Sequence, residues 1–183
     1  MEPVILESGK HAGKSLAQLM FTDYSWLWEY LKDIRRGYDE EISSQSPEHR
    51  QLEWLMGRGE DRVATTPCSI DGCNQPAAFV HVSYRSGADP GILVDQVYCK
   101  DHNPGDNSEG TVFVPLKFSS LLRFEHSRAS YQAFLRALRS LLGAPEILTR
   151  EASLDFFARG WSAPAPKEPS GQQILPVQEE EVS

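Results

Sequence analysis

Three cysteines and one histidine are the residues of this chain whose spacing indicates chemistry. Four residues separate Cys68 from Cys73, and two separate Cys99 from His102. Zn²⁺ prefers thiolate and imidazole ligands, and three cysteines with one histidine complete a tetrahedral structural site. The spacing therefore predicts a closed Zn²⁺ site at Cys68, Cys73, Cys99 and His102, in which the ion is structural and not catalytic.

Other interpretations of these residues stay open. A cysteine also occurs as a small buried hydrophobe, so the alternative to a metal site is three unconnected thiols. His81 and His126 are reserve ligands. The run Asp101-His102-Asn103-Pro104 is compatible with a small nuclease in which His102 activates water, but a second cysteine pair and a downstream His-Asn partner are missing. We favour the structural zinc site.

Two strand-like runs lie between the ligand pairs and would position them. Ala77–Tyr84 and Ile92–Tyr98 are rich in β-branched and aromatic residues, and a segment with Gly and Pro joins them. This pattern predicts an antiparallel hairpin that brings both ligand pairs to one end. Asp71-Gly72 predicts a tight turn that directs two thiolates at one ion. A third strand is expected at Thr111–Phe118, where Pro115 indicates a sheet edge.

Helical periodicity is found on both sides of this β region. After a short predicted strand at Pro3–Glu7, we expect helices in three places: Leu16–Arg36 with a break at Thr22-Asp23, a short helix from Pro47, and a strongly amphipathic helix over Tyr131–Leu142. Asp23 is the expected N-cap of the helix that follows the break.

These elements predict an α+β protein in three parts. Residues 1–62 form a small strand-turn-helix unit, and residues 63–161 form a zinc-stapled antiparallel β-hairpin module with a packing helix. Residues 162–183 are rich in Pro, Gln, Glu and Ser, which predicts a disordered acidic tail. Small modules bury little apolar surface, so the ion is expected to contribute folding energy directly.

Composition limits the functional classes. The chain has 183 residues, 40% of them hydrophobic, which indicates a globular protein. A net charge of −8 argues against a protein that coats nucleic acid by bulk attraction. No apolar run approaches the roughly 18 residues of a membrane span, and the first residues do not resemble an export signal. We therefore expect a cytoplasmic protein with no membrane partner.

A glycine- and lysine-containing turn, Gly9-Lys10-His11-Ala12-Gly13-Lys14-Ser15, follows the first predicted strand. In a phosphate-binding loop, backbone N–H groups and a lysine hold phosphates, and Gly13-Lys14-Ser15 fits that pattern. The first glycine of the pattern should stand where this chain has Ser8, and alternating βαβ units are missing. A P-loop-like enzyme is therefore a subordinate hypothesis.

The same segment resembles a small domain found in proteins that act on DNA. The pattern Gly9-Lys10-x-x-Gly13-Lys14-Ser15-Leu16, then Leu19 and Tyr24-x-Trp26-Leu27, resembles the small C-terminal domain of exodeoxyribonuclease X and its relatives, over about residues 3–36. His11 stands where that family usually has an aromatic residue. The resemblance implies an accessory nucleic-acid-binding role with Lys10, Lys14 and His11 as contacts. Nuclease activity is not implied, because the exonuclease domain with its acidic metal ligands is missing.

Three arginines, Arg128, Arg136 and Arg139, lie along one face of the predicted amphipathic helix. Such a ridge could contact phosphates. The alternative, which we favour, is a solvated face that pairs with the acidic segment 38–62.

Together these features predict a non-enzymatic, zinc-binding accessory protein that binds DNA or RNA, with DNA as the first expectation. The alternative is a protein-interaction adaptor that uses the zinc module or the acidic tail. A small nuclease or P-loop-like enzyme is the third hypothesis.

Overall fold

The computed structural model describes residues 2–37, 46–85, 91–103, 105 and 111–159. Its helices are α1 (Leu16–Met20), α2 (Tyr24–Gly37), α3 (Pro47–Glu60), α4 (Arg128–Leu141) and α5 (Arg150–Ala158), and a 3-10 helix spans Phe118–Phe124. Its strands are β1 (Phe79–Arg85), β2 (Gly91–Tyr98) and β3 (Thr111–Pro115). The predicted α+β class is confirmed. The predicted tail at 162–183 lies outside the described residues.

The three strands form one antiparallel sheet in the order β2-β1-β3. Phe79 pairs with Tyr98, so the start of β1 and the end of β2 lie side by side. The predicted hairpin is therefore present, and β3 is an edge strand as Pro115 indicated. This strand ends at Pro115 and not at Phe118, because the chain there enters the 3-10 helix.

The segment predicted as a first strand makes only one isolated bridge, between Ile5 and Ser15. Backbone hydrogen bonds from Gly13 N to Leu6 O (2.8 Å) and from Leu6 N to Lys14 O (3.0 Å) close the turn that follows. We call residues 9–15 the Gly-Lys turn. Its two glycines have φ angles of 81° and 83°, in the left-handed region that glycine adopts without steric cost.

The helices on either side of Thr22 begin with side-chain caps. Ser15 and Gln18 form a capping box at α1, in which the Ser15 side chain accepts from Gln18 N. The Ser15 side chain is fully buried, so its hydroxyl serves the helix start and is not open to a phosphate-bound cation. Asp23 Oδ1 accepts from Trp26 N at 3.3 Å, which confirms Asp23 as the N-cap of α2.

An aromatic cluster lies at the centre of the core. Five rings pack with centroid separations of 5.0 to 5.9 Å: Phe21, Tyr24, Phe118, Phe156 and Phe157. Helix α4 packs its buried side chains against β2 and the 3-10 helix. One buried cluster includes residues from 1–62 and from 63–161, and the proposed division into units stays a prediction. Among the described residues, no helix is long and apolar enough to cross a bilayer.

A tyrosine from α4 supports the first turn of α2. The Tyr131 hydroxyl accepts a hydrogen bond from the buried Tyr24 N at 2.9 Å. In Tyr131→Phe this N–H loses its acceptor, and we expect the free energy of unfolding to fall by about 1 to 3 kcal/mol in urea titrations. Tyr84→Phe is the control, because Tyr84 is 58% exposed. Equal stability of the two variants would contradict this role.

Candidate metal centre

The segment 66–77, which we call the cysteine loop, folds back on itself before β1. Cys68 N donates to Gln75 O at 2.8 Å, and Cys73 N donates to Ile70 O at 3.0 Å. The second bond closes a tight turn in which Gly72 has a φ of 77°, a conformation that favours glycine. The turn predicted at Asp71-Gly72 is therefore present, and it brings two cysteines of one short loop together.

The cysteine loop is attached to the end of the hairpin that carries the other ligand pair. Ser69 N donates to Val97 O at 2.8 Å, and Val97 N donates to the Ser69 hydroxyl at 3.1 Å. Cys99 follows β2 directly, and His102 lies three residues further on. The two pairs thus meet at one end of the hairpin, as their spacing predicted.

Three of the distances between the four candidate ligand atoms are close to the edges of a zinc tetrahedron. His102 Nδ1 lies 3.4 Å from Cys99 Sγ and 3.6 Å from Cys68 Sγ, and Cys73 Sγ lies 3.9 Å from Cys99 Sγ. With zinc bonds of about 2.3 Å to sulfur and about 2.0 Å to nitrogen, a tetrahedron has edges of about 3.8 Å (S to S) and about 3.5 Å (S to N). All four atoms lie within 4.8 Å of one another, close enough to hold one metal ion.

The electrostatics of the thiols favour a cation between them. Burial raises the pKa of Cys68, but hydrogen bonds from the backbone of Ile70 and Cys99 lower it more, and the net pKa is about 7. A backbone bond at Gln75 lowers the pKa of Cys73, whereas the neighbouring sulfurs raise it, and the net shift is upward. A first thiolate therefore hinders a second, and a divalent cation removes that repulsion.

The reserve histidines have other contacts. His81 Nδ1 lies 2.7 Å from Asp95 Oδ1, and the His81 ring packs against Phe113 on the sheet. The His126 side chain is 90% exposed and lies beside Glu125. Among the described residues, the ligand cluster contains neither. His102 directs Nδ1 at the sulfurs, whereas the nuclease hypothesis requires a His102 that is free of the ion.

The three candidate nucleic-acid contacts in the Gly-Lys turn differ in their exposure to solvent. Lys14 is exposed, and the Lys10 side chain is 70% exposed, with Nζ 2.9 Å from Asp23 Oδ2. His11 is only 5% exposed. Its Nε2 lies 3.0 Å from the same carboxylate oxygen, and its ring packs edge-on against Trp26. His11 therefore holds the turn against α2, and the two lysines lie at the surface.

A third cation at the Gly-Lys turn was not predicted from the sequence. Arg150 Nη2 donates to Gly13 O at 2.8 Å, across 137 positions of the chain. Nearby, Gln18 Nε2 donates to Leu148 O at 2.7 Å, so the segment before α5 is attached to α1. No local sequence signal indicates this contact, because it depends on how α5 packs against α1.

The arginines of α4 differ in exposure. Arg128 and Arg136 are exposed, and Arg139 is half-buried. Arg136 Nε donates to Gln132 O of the preceding turn, and Arg139 Nη2 lies 3.5 Å from Pro145 O. These contacts are local, and part of the acidic segment expected to pair with them, residues 38–45, lies outside the described residues.

The carboxylate of Asp23 connects the Gly-Lys turn to α2, and its charge should make the connection sensitive to pH. Burial raises the pKa of Asp23, but the hydrogen bond and charge of Lys10 outweigh it and hold the pKa below 3.8. Because the folded pKa is depressed, this stabilisation is complete above about pH 4 and is lost as the pH falls through the folded pKa.

We expect Asp23→Asn, which can still cap a helix, to lower the free energy of unfolding by about 1 kcal/mol at pH 7. The difference from wild type should shrink below pH 4 in urea titrations. Asp33→Asn, at an exposed position of the same helix, is the matched control. A difference that is independent of pH would contradict the role of the charge.

Comparison with protein-family models, with curated proteins and with solved structures finds no match to this chain.

Proposed function

We propose that this protein binds one Zn²⁺ ion through Cys68, Cys73, Cys99 and His102, and that the ion is structural. The observation that carries the proposal is the convergence of three sulfurs and one imidazole nitrogen within 4.8 Å of one another, with three of their distances near the edges of a zinc tetrahedron. Soft thiolates and an imidazole in a tetrahedron select zinc among the common metal ions. Four protein ligands leave no coordination position for a substrate, which supports a non-enzymatic role for this centre.

The position of the site indicates what the ion would stabilise. Residues 69–72 of the cysteine loop are exposed, so this loop gains little from hydrophobic burial. An ion bound by both ligand pairs would fix the loop to the end of the hairpin. Zinc binding in small modules contributes about 10 kcal/mol or more to folding. Loss of the ion is therefore expected to unfold at least the cysteine loop and the end of the hairpin.

We expect purified protein to contain one zinc ion per chain, as measured by elemental analysis. Cys68→Ser and His102→Asn should each lose the ion, and a strong chelator should lower the melting temperature of the wild type. His81→Asn is the matched control, since it removes a histidine of the adjacent sheet and should retain zinc. Metal-free wild-type protein with unchanged thermal stability would contradict a structural ion.

We further propose that the Gly-Lys turn contacts the phosphate backbone of nucleic acid, with DNA as the first candidate. Lys10 and Lys14 lie at the surface, and Arg150 contacts the carbonyl of Gly13, so three cations come from one small area. The φ angles of Gly9 and Gly13 need glycine, and no atom lies within 4 Å of where a Cβ would stand, so the backbone is accessible to a phosphate. The resemblance to the exodeoxyribonuclease X domain supports the same role.

Fluorescence anisotropy with labelled single- and double-stranded DNA over a salt series tests this role. We expect the double variant Lys10→Gln with Lys14→Gln to bind DNA about tenfold more weakly at low salt. The slope of the logarithm of the binding constant against the logarithm of the salt concentration should become smaller in magnitude by about 1 to 2. Lys32→Gln with Lys117→Gln removes the same charge elsewhere and should change little. No binding by the wild type at low salt, or equal loss in both double variants, would contradict the proposal.

A protein-interaction adaptor is the second candidate. Ile70 is 42% exposed in the tight turn of the cysteine loop, where the nearby metal would hold it rigidly. An exposed aliphatic side chain on a rigid turn is suited to contact a partner protein. Retention of a partner by the wild type and its loss in Ile70→Ser, with zinc content unchanged, would favour this role over nucleic-acid binding.

A further inference from the structure

Arg62, two residues beyond the end of α3, is half-buried and makes no ion pair with another described residue. Its Nη2 atom is inaccessible to water and has no hydrogen-bond partner. Its Cζ lies 4.2 Å from the ring centroid of Phe156. Burial and then the charge of Arg58 lower the pKa of Arg62. The side chain as a whole is half-buried, so the enclosed Nη2 lacks an acceptor while part of the side chain still faces solvent.

The aromatic contact offers only part of that compensation. A cation over a ring face is attracted by the ring quadrupole, but the ring provides no hydrogen-bond acceptor in the guanidinium plane. Arginine at such a position is suited to bind a planar or tetrahedral oxyanion with its fork of N–H donors. Because Nη2 is enclosed by protein, an anion would bind Arg62 through its other N–H groups, with the contact to Phe156 fixing the plane of the guanidinium.

A cavity adjoins this guanidinium. Its volume is about 610 Å³, and its lining includes Arg62, Thr65, Leu142, Pro145, Phe156 and Arg159. Among the described residues that line it there is no carboxylate. Asp155 lies 3.6 Å from Arg159 Nη2, but both side chains are more than half exposed, so this ion pair is weak. The cavity thus combines two cationic side chains with apolar walls.

We propose that this cavity binds a small organic phosphate monoester, with Arg62 and Arg159 as the phosphate ligands and Leu142, Pro145 and Phe156 as the apolar wall. Two guanidinium groups match the two negative charges of a phosphate monoester. The volume lies within the range of about 300 to 1,000 Å³ for small-molecule sites. The site is independent of the metal centre and of the Gly-Lys turn, so it goes beyond the function proposed above.

Isothermal titration of the zinc-loaded full chain with phenyl phosphate tests the proposal. We expect a single site with a dissociation constant below 1 mM, and weaker binding of inorganic phosphate, which cannot use the apolar wall. Arg62→Gln and Arg159→Gln should each weaken phenyl phosphate binding at least tenfold. Arg123→Gln is the matched control, because Arg123 is exposed on the 3-10 helix and does not line the cavity, and it should change affinity less than twofold.

Two further measurements distinguish a loss of ligand binding from a loss of folding. Ala152→Leu should weaken phenyl phosphate binding, because the larger side chain fills part of the cavity. This variant tests the site even if Arg62→Gln does not fold. Circular dichroism of Arg62→Gln shows whether the fold is retained, because the substitution also removes the guanidinium contact with Phe156. No phenyl phosphate binding by the wild type at 10 mM, equal loss of affinity in Arg123→Gln, or equal affinity for inorganic phosphate would overturn the proposal.

Discussion

The proximity of three sulfur atoms and one imidazole nitrogen is the constraint on which the middle of this structure depends. The four atoms come from a loop before β1 and a segment after β2, and they lie within 4.8 Å of one another. Thiols at this separation repel once more than one of them ionises, and the exposed turn of the cysteine loop adds little apolar burial. A tetrahedral cation would turn this unfavourable arrangement into four bonds and would stabilise the conformation of so polar a loop.

The remaining elements depend on an aromatic core and on polar contacts between distant segments. Glu60 accepts from both the backbone N and the hydroxyl of Ser119 at 2.8 Å, which fixes the end of α3 to the 3-10 helix. Gln51 Oε1 accepts from Val4 N at 2.8 Å and holds the N-terminal segment on α3. Such satisfied polar groups at the ends of elements specify how the helices meet. The helices that carry the Gly-Lys turn are therefore fixed relative to one another, and Asp23 connects the turn to α2.

Predictions that depend on neighbouring residues were confirmed. The hairpin, the edge position of β3, the apolar stripe of α4 and the cap at Asp23 all follow from patterns a few residues long. Among the described residues, the strand predicted at Pro3–Glu7 forms one bridge, because its backbone pairs with the Gly-Lys turn and the start of α1 and not with a second strand. The burial of His11 was not predicted either, because it depends on contacts with Asp23 and Trp26 outside the turn.

The sequence by itself determined which three cysteines and one histidine come close enough to hold a metal ion, because each pair is only a few residues apart and the hairpin between the pairs follows from its strand-like pattern. Tertiary structure alone decided that Arg150 reaches the Gly-Lys turn and that Arg62 lies over Phe156 without an acceptor for Nη2. The physical reason is the range of the interaction. Local spacing is set by backbone geometry within one element, whereas contacts between residues about a hundred positions apart depend on how the whole core packs.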